Sequence, residues 1–229
     1  MKKGFTLTEL LLALAIVGVV AMLTVPVLVS NISKKTFVNQ LKNMVANIEQ
    51  VAQDELITHR TRDLTNTDFA NPDKLLSDTH FHIVRKCTSE ADSLANCWKT
   101  TSTGDDKVTY KKLNGTAYPE YMAGGLGHGK TVILKNGVIM NFNLGTEAEQ
   151  AQRGGTIAGY MYIDVNGNDK PNVAGRDAFL LWITKDGRVV GSAYVKEQTF
   201  SLSELKTKCN SDIYYCYDAL LNNSWVMDY

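Results

Sequence analysis

The chain has 229 residues, 44% hydrophobic and 21% charged, with 24 basic and 24 acidic side chains and a formal charge of zero. That length suffices for one domain with a real core and excludes several large ones. The charge balance gives no bulk pull towards nucleic acid or anionic lipid, and four prolines beside a normal apolar share exclude a disordered chain.

The N-terminal segment differs sharply from the rest. Lys2 and Lys3 precede Gly4, Phe5, Thr6, Leu7, Thr8 and Glu9, and the 20 residues from Leu10 to Val29 carry no charge. As a helix, at ~1.5 Å per residue, that run covers ~30 Å, the hydrocarbon thickness of a bilayer. A secretory signal has a shorter apolar core, roughly 7–15 residues, followed by a small-residue cleavage site. Here Ala13 and Ala15 stand near the start of the run, so a membrane anchor fits the length better. Two residues do not suit a plain anchor. A carboxylate at Glu9 is costly in lipid and calls for a partner. Pro26 lacks a backbone donor and, with Gly18, marks a helix able to loosen between them. The plainer reading is a kinked tail whose Glu9 snorkels to the interface.

Lys-Lys-Gly-Phe-Thr-Leu-Thr-Glu-Leu followed by an apolar helix with Gly18 and Pro26 resembles the leader and N-terminal helix of type IV pilins and type II secretion pseudopilins. The resemblance covers roughly 30 residues. It implies cleavage between Gly4 and Phe5 by a prepilin peptidase and N-methylation of Phe5. It makes Glu9 the residue whose charge meets the N-terminal amine of a neighbouring subunit, and Gly18 with Pro26 the pair where the helix melts inside the fibre. Thr8 departs from the family, where an apolar residue is commoner. The implied partners are other pilin or pseudopilin subunits, the peptidase, an inner-membrane assembly platform and the membrane itself. Nucleic acid is not indicated. The implied location is the bacterial inner membrane, crossed once, with the C-terminal head outside the cytoplasm, and the fibre after assembly. Lys2 and Lys3 fit a leader held in the cytoplasm. Physically, pairing Glu9 with a neighbour's amine removes two desolvation costs at once and sets register.

Beyond Ser30 the apolar positions become periodic: Ile32, Phe37, Leu41, Met44, Val45, Ile48, Ala52 and Leu56 form one stripe. The pattern predicts a single helix from Phe5 to about Leu56, its second half amphipathic. A membrane-surface helix is the rival, but its polar face would be richer in basic residues. Residues 58–130 are weakly patterned, with loop punctuation at Asp63, Asn66, Pro72, Asp73 and Ser77. Strand signals follow at Thr131–Lys135 and Val138–Phe142, joined by Asn136-Gly137, a two-residue hairpin sequence. Ile157–Asp164, Ala178–Thr184 and Arg188–Ala193 continue the series, the last two joined by Asp186-Gly187. An irregular C-terminal segment is expected after them. The fold class is α+β: a long N-terminal helix packed on a small antiparallel sheet head, pilin-like. The divisions are leader 1–4, transmembrane and assembly helix 5–29, its amphipathic half 30–57, a variable region 58–130, and a β-sheet head with a C-terminal disulfide region 131–229.

The four cysteines allow three disulfide pairings. The local one, Cys87–Cys97 with Cys209–Cys216, suits an exported head and closes two short loops, each contributing ~2–3 kcal/mol. A zinc site drawing on His80, His82 and Cys87 is the rival, but the cysteine spacings do not fit the usual close pairs. Asp164, Asn166 and Asn168, with Asp177 further on, place oxygens at the spacing of a calcium loop. The loop fails the EF-hand template at Asp169 and Gly175, and an Asx-turn loop without metal uses the same residues.

Gly124 to Thr131 satisfies the phosphate-loop pattern GxxxxGK[ST], yet a hairpin follows where a helix should, which marks a chance match. The four histidines, 59, 80, 82 and 128, form no recognisable catalytic constellation, so no enzyme is expected. Tyr214, Tyr215, Tyr217, Trp225 and Tyr229 make either an exposed patch or packing round a disulfide. Two functions follow: a structural subunit of a pilus or pseudopilus, or a minor tip subunit whose head captures DNA, a surface or a secreted substrate. A membrane-anchored enzyme lacks a site to support it.

Overall fold

The computed structural model describes residues 6–71, 74, 81–118, 130–144 and 152–229. The chain divides into two units, Met1–Thr36 and Phe37–Tyr229. Helix α1 (Leu7–Thr58) contributes residues to both.

In the first unit α1 is apolar on every face from Leu10 to Val29. Leu10, Leu14, Val17, Leu23, Leu28 and Val29 are all exposed, and the helix is long and apolar enough to cross a membrane. Two of its hydroxyls are satisfied internally: Thr24 Oγ1 donates to Val20 O at 2.9 Å and Ser33 Oγ to Val29 O at 2.9 Å. Such back-bonding lets a hydroxyl lie in an apolar medium without an unmet donor. Ile32, expected on the buried stripe, is exposed and belongs to this unit.

The second unit is built on the remaining turns of α1. Phe37, Leu41, Met44, Val45, Ile48, Ala52 and Leu56 are buried at the three- and four-residue intervals that form one helix face. The helix then ends decisively. Arg60 takes a left-handed φ of 51°, and Thr61 N–H reaches back to Leu56 O at 3.1 Å, a C-terminal cap that reverses the chain. Asp63 caps a 3₁₀ turn at Leu64–Asn66, and Thr67 caps another at Asp68–Ala70. Leu64 and Phe69 pin these turns into the core.

Six strands form one antiparallel meander in chain order: β1 (Ile83–Cys87), β2 (Lys130–Leu134), β3 (Ile139–Leu144), β4 (Ile157–Asp164), β5 (Ala178–Thr184) and β6 (Val189–Val190). One sheet face packs on α1 through Val132, Met140, Phe142, Met161, Ile163, Phe179 and Leu181. The other is covered by the 88–118 region and the C-terminal turns, around Trp98, Tyr110, Ile139, Tyr162, Leu180 and Ile213. All seven residues of β5 are therefore buried, which explains its unbroken apolar run.

Four expectations need correction. The two Asn-Gly and Asp-Gly hairpins exist, but each loop has three residues. Leu134 N–H bonds Val138 O, Thr184 N–H bonds Arg188 O, and of the loop residues only Gly137 and Gly187 have positive φ. This is a type I turn closed by a glycine bulge rather than a two-residue turn. The strand placed at Arg188–Ala193 shrinks to Val189–Val190, because Ser192–Val195 turns into a short helix, α2. The C-terminal segment is helical, with α3 (Leu202–Cys209) started by a Ser201–Glu204 capping box and α4 (Cys216–Asn222) following. Strand β1 lies in the stretch expected to be unpatterned; an exposed edge strand with a register shift between Ile83 and Arg85 carries little alternation to detect.

Gly175 shows how tightly this end is packed. Its φ is 89°, and a Cβ there would stand 2.5 Å from Cys216 Sγ and 2.9 Å from Cys209 Sγ. Gly115 has a similar φ of 84° but open space around it. In chemical denaturation of the oxidised full-length chain in detergent, Gly175→Ala is expected to lose about 2–4 kcal/mol, backbone strain plus overpacking, and Gly115→Ala only about 1 kcal/mol. Equal losses would mean the disulfide does not press on this turn.

Candidate functional site

The start of α1 carries the first candidate. Thr6 N–H and Thr6 Oγ1 both donate to Glu9 Oε2, at 2.8 and 2.9 Å, while Glu9 N–H donates to Thr6 Oγ1 at 3.2 Å. This is a capping box, in which the helix's first orphan donors and the carboxylate satisfy each other. The T-x-x-E spacing of Thr6 and Glu9 signals it in the sequence. Both bonds to the carboxylate end on one oxygen, and Glu9 is exposed among the described residues. Gly4 and Phe5 lie outside the described residues. At Gly18 and Pro26 the single chain is continuously helical.

A family model described as the prokaryotic N-terminal methylation motif matches residues 1–25. The chain carries the N-terminal methylation motif characteristic of type IV pilins and pseudopilins. The match is confined to this N-terminal segment and supports a relationship to that family. It implies other pilin subunits and peptidase processing in general terms. Together with the apolar helix it is consistent with single-pass membrane anchoring. No curated protein and no solved structure matches the chain.

In the second unit, disulfides join Cys87 to Cys97 and Cys209 to Cys216, so neither Cys87 nor its partner is a thiolate ligand. His80 and His128, and Gly124–Gly129 of the phosphate-loop pattern, lie outside the described residues. The pattern's last two residues, Lys130 and Thr131, open β2 instead of a helix. The aromatic tail is packed rather than presented. Tyr217 meets Trp225 edge-on at 5.9 Å, Phe200 meets Tyr215 at 5.6 Å, and Tyr229 Oη donates to Gly175 O at 3.1 Å.

The Asp164–Asp177 loop is closed largely by its own donors. Tyr110 Oη donates to Asp164 Oδ2 at 2.6 Å and Asn166 N–H to Asp164 Oδ1 at 3.1 Å. Asn172 and Val173 N–H donate to the two oxygens of Asp177, at 2.7 and 2.6 Å. Asn168 is engaged elsewhere, its Nδ2 donating to Cys97 O at 2.8 Å, which ties the loop to the first disulfide. The side-chain oxygens of Asn166, Asn168 and Asn172 are buried without a hydrogen bond within the chain. They are the donors that a calcium ion would add to the two carboxylates.

Burial dominates the acid–base behaviour here. It raises Asp164 well above the ordinary carboxyl range, with the neighbouring Asp177 charge adding to the effect. It pushes Asp177 up to about 6. Asp218, whose Oδ2 accepts from Ala193 N–H at 3.2 Å, is also pushed up to about 6 by burial. A carboxyl that holds its proton more tightly when folded favours the fold at low pH and loses that contribution as pH rises through the folded pKa. Asp63, Asp186 and Asp228 are held low by hydrogen bonds and cationic partners and weaken the fold only in strong acid. The melting temperature of the full-length chain in detergent is therefore expected to rise as pH falls from 8 to 5. Asp218→Asn should flatten that slope, by about 1 kcal/mol across the window. A melting temperature that falls steadily from pH 8 to 5 would contradict the assignment.

Proposed function

We propose that this chain is a structural subunit that assembles into a type IV pilus or type II secretion pseudopilus after prepilin peptidase cleaves between Gly4 and Phe5. The observation that carries the reading is the coincidence, within residues 1–25, of the methylation motif, a helix with no apolar cover of its own, and one carboxylate at its start. An apolar surface of that size is stable only in lipid or against other apolar helices. A fibre core of packed helices supplies the second medium as the membrane supplied the first.

Glu9 then acts as the docking group. In the isolated chain the carboxylate is held by Thr6 through Oε2, and Oε1 remains for a further partner. The amine freed on Phe5 of a neighbouring subunit is the complementary charge. Pairing them in a water-poor core neutralises both and fixes the axial step between subunits. Gly18 and Pro26 mark where the helix can extend during packing, since Pro26 removes the donor that Met22 O would otherwise receive. The head is placed outside the cytoplasm, where its two disulfides persist.

Glu9→Leu is expected to leave expression, processing and membrane retention intact while cutting the ratio of sheared fibre subunits to membrane-held subunits at least tenfold. A tenfold loss corresponds to about 1.4 kcal/mol, modest for a buried charge pair. Glu9→Asp should rescue poorly, because its shorter arm holds the carboxylate one methylene further from the amine. An unchanged ratio in Glu9→Leu would overturn the docking role.

A further inference from the structure

We propose that Glu55, His59 and Asp68 form a site for a divalent transition-metal ion of the zinc class, which clamps the end of α1 to the turn that follows it. One ligand atom from each residue lies within 4.8 Å of the other two. Ligands about 2.0–2.2 Å from a tetrahedral zinc stand roughly 3.5 Å apart, so a small contraction closes the triangle. His59 Nε2 and Asp68 Oδ1 are already 3.9 Å apart.

The imidazole is oriented for the task. His59 Nδ1 lies 3.1 Å from Glu55 O, one helical turn back, and donates its proton there. That bond leaves the lone pair on Nε2, the nitrogen turned towards Asp68. Fixing a histidine ligand by donating its other N–H to a backbone carbonyl is the usual support for a metal-bound imidazole. Glu55 lies in the last turn of α1 and His59, just past its end, bonds back to it through its backbone N–H at 3.0 Å, and the Arg60 cap returns the chain so that Asp68 opens the second 3₁₀ turn beside them. Phe69, anchored in the core, and the Thr67 cap hold Asp68 in place. All three ligands therefore stand on rigid elements.

Charge points the same way. Two carboxylates balance a divalent ion, and one imidazole with two carboxylate oxygens is a borderline donor set suited to zinc. The position is already occupied by a cation of the chain: Lys74 Nζ lies 2.7 Å from Asp68 Oδ1 and also feels the Glu55 charge. Lys74 is mostly exposed and can leave for solvent when a metal arrives. Among the described residues Glu55, His59, Asp68 and Lys74 make up the local charged set; Lys74 competes with the metal, and the other three hold it.

The test uses the full-length chain in detergent, stripped with chelator and titrated with zinc chloride alone by calorimetry, then with cobalt for its visible ligand-field spectrum. One equivalent of zinc should bind and raise the melting temperature. His59→Gln and Asp68→Asn should each weaken binding at least tenfold, and Lys74→Met should tighten it severalfold by removing the competing ammonium. The tightening is a readout that a purely structural role for His59 would not move. Absence of stoichiometric zinc overturns the proposal. So does binding unchanged in His59→Gln, which would place the ion on other histidines, or affinity unchanged in Lys74→Met.

Discussion

The constraint on which the molecule depends is the apolar surface of Leu10–Val29, which no other described residue covers. Folding ordinarily hides such surface in a core, and the second unit does so thoroughly. The first unit instead leaves it for a medium that the chain does not supply. At ~25 cal/mol per Å² the penalty for leaving that much hydrocarbon in water far exceeds the marginal stability of a domain. Such a helix is suited to lipid or to packing against other apolar helices. Glu9 matters because it is the carboxylate at the border of that medium, and the Thr6 cap is how the single chain keeps it satisfied.

The second unit solves a different problem. It must be rigid with an edge strand exposed and a sheet needing cover on both faces. The turns of α1 from Phe37 onward, with Tyr217 and Leu220 of α4, pack on one face, and the cross-linked 88–118 region with the turn at Ile213 covers the other. The Asp164–Asp177 loop joins these covers: Asn168 reaches the first disulfide through Cys97 O, while Gly175 lies against the second and accepts from Tyr229. Loop, disulfides and C-terminus thus form one connected layer.

Much of this was legible in the sequence because the signals were of the kind that physics makes loud. A 20-residue uncharged run, a helical stripe, glycine-closed hairpins and strands β4 and β5 with their stated bounds all follow from burial and backbone preference. What escaped had quieter causes. The turn type depends on one positive φ rather than two, which the dipeptides Asn136-Gly137 and Asp186-Gly187 do not reveal. The edge strand β1 faces solvent, so its composition resembles loop. The C-terminal helices α3 and α4 are short and cross-linked, and were read as irregular, though Ser201-x-x-Glu204 announced one of them. The Glu55–His59–Asp68 cluster depends on a helix cap that reverses the chain, and only half of it, the four-residue spacing of Glu55 and His59, is visible beforehand.

The central claim is that the apolar helix is retained and is the working part of the subunit, with only a short leader removed. Intact-mass spectrometry of the protein isolated from its native host tests this most directly. The account predicts a mature chain that lacks residues 1–4, begins at Phe5 and carries one added methyl group on that residue. A mature chain beginning after Ala15, with the apolar helix discarded as a secretory signal, would contradict it, as would an unprocessed chain still beginning at Met1.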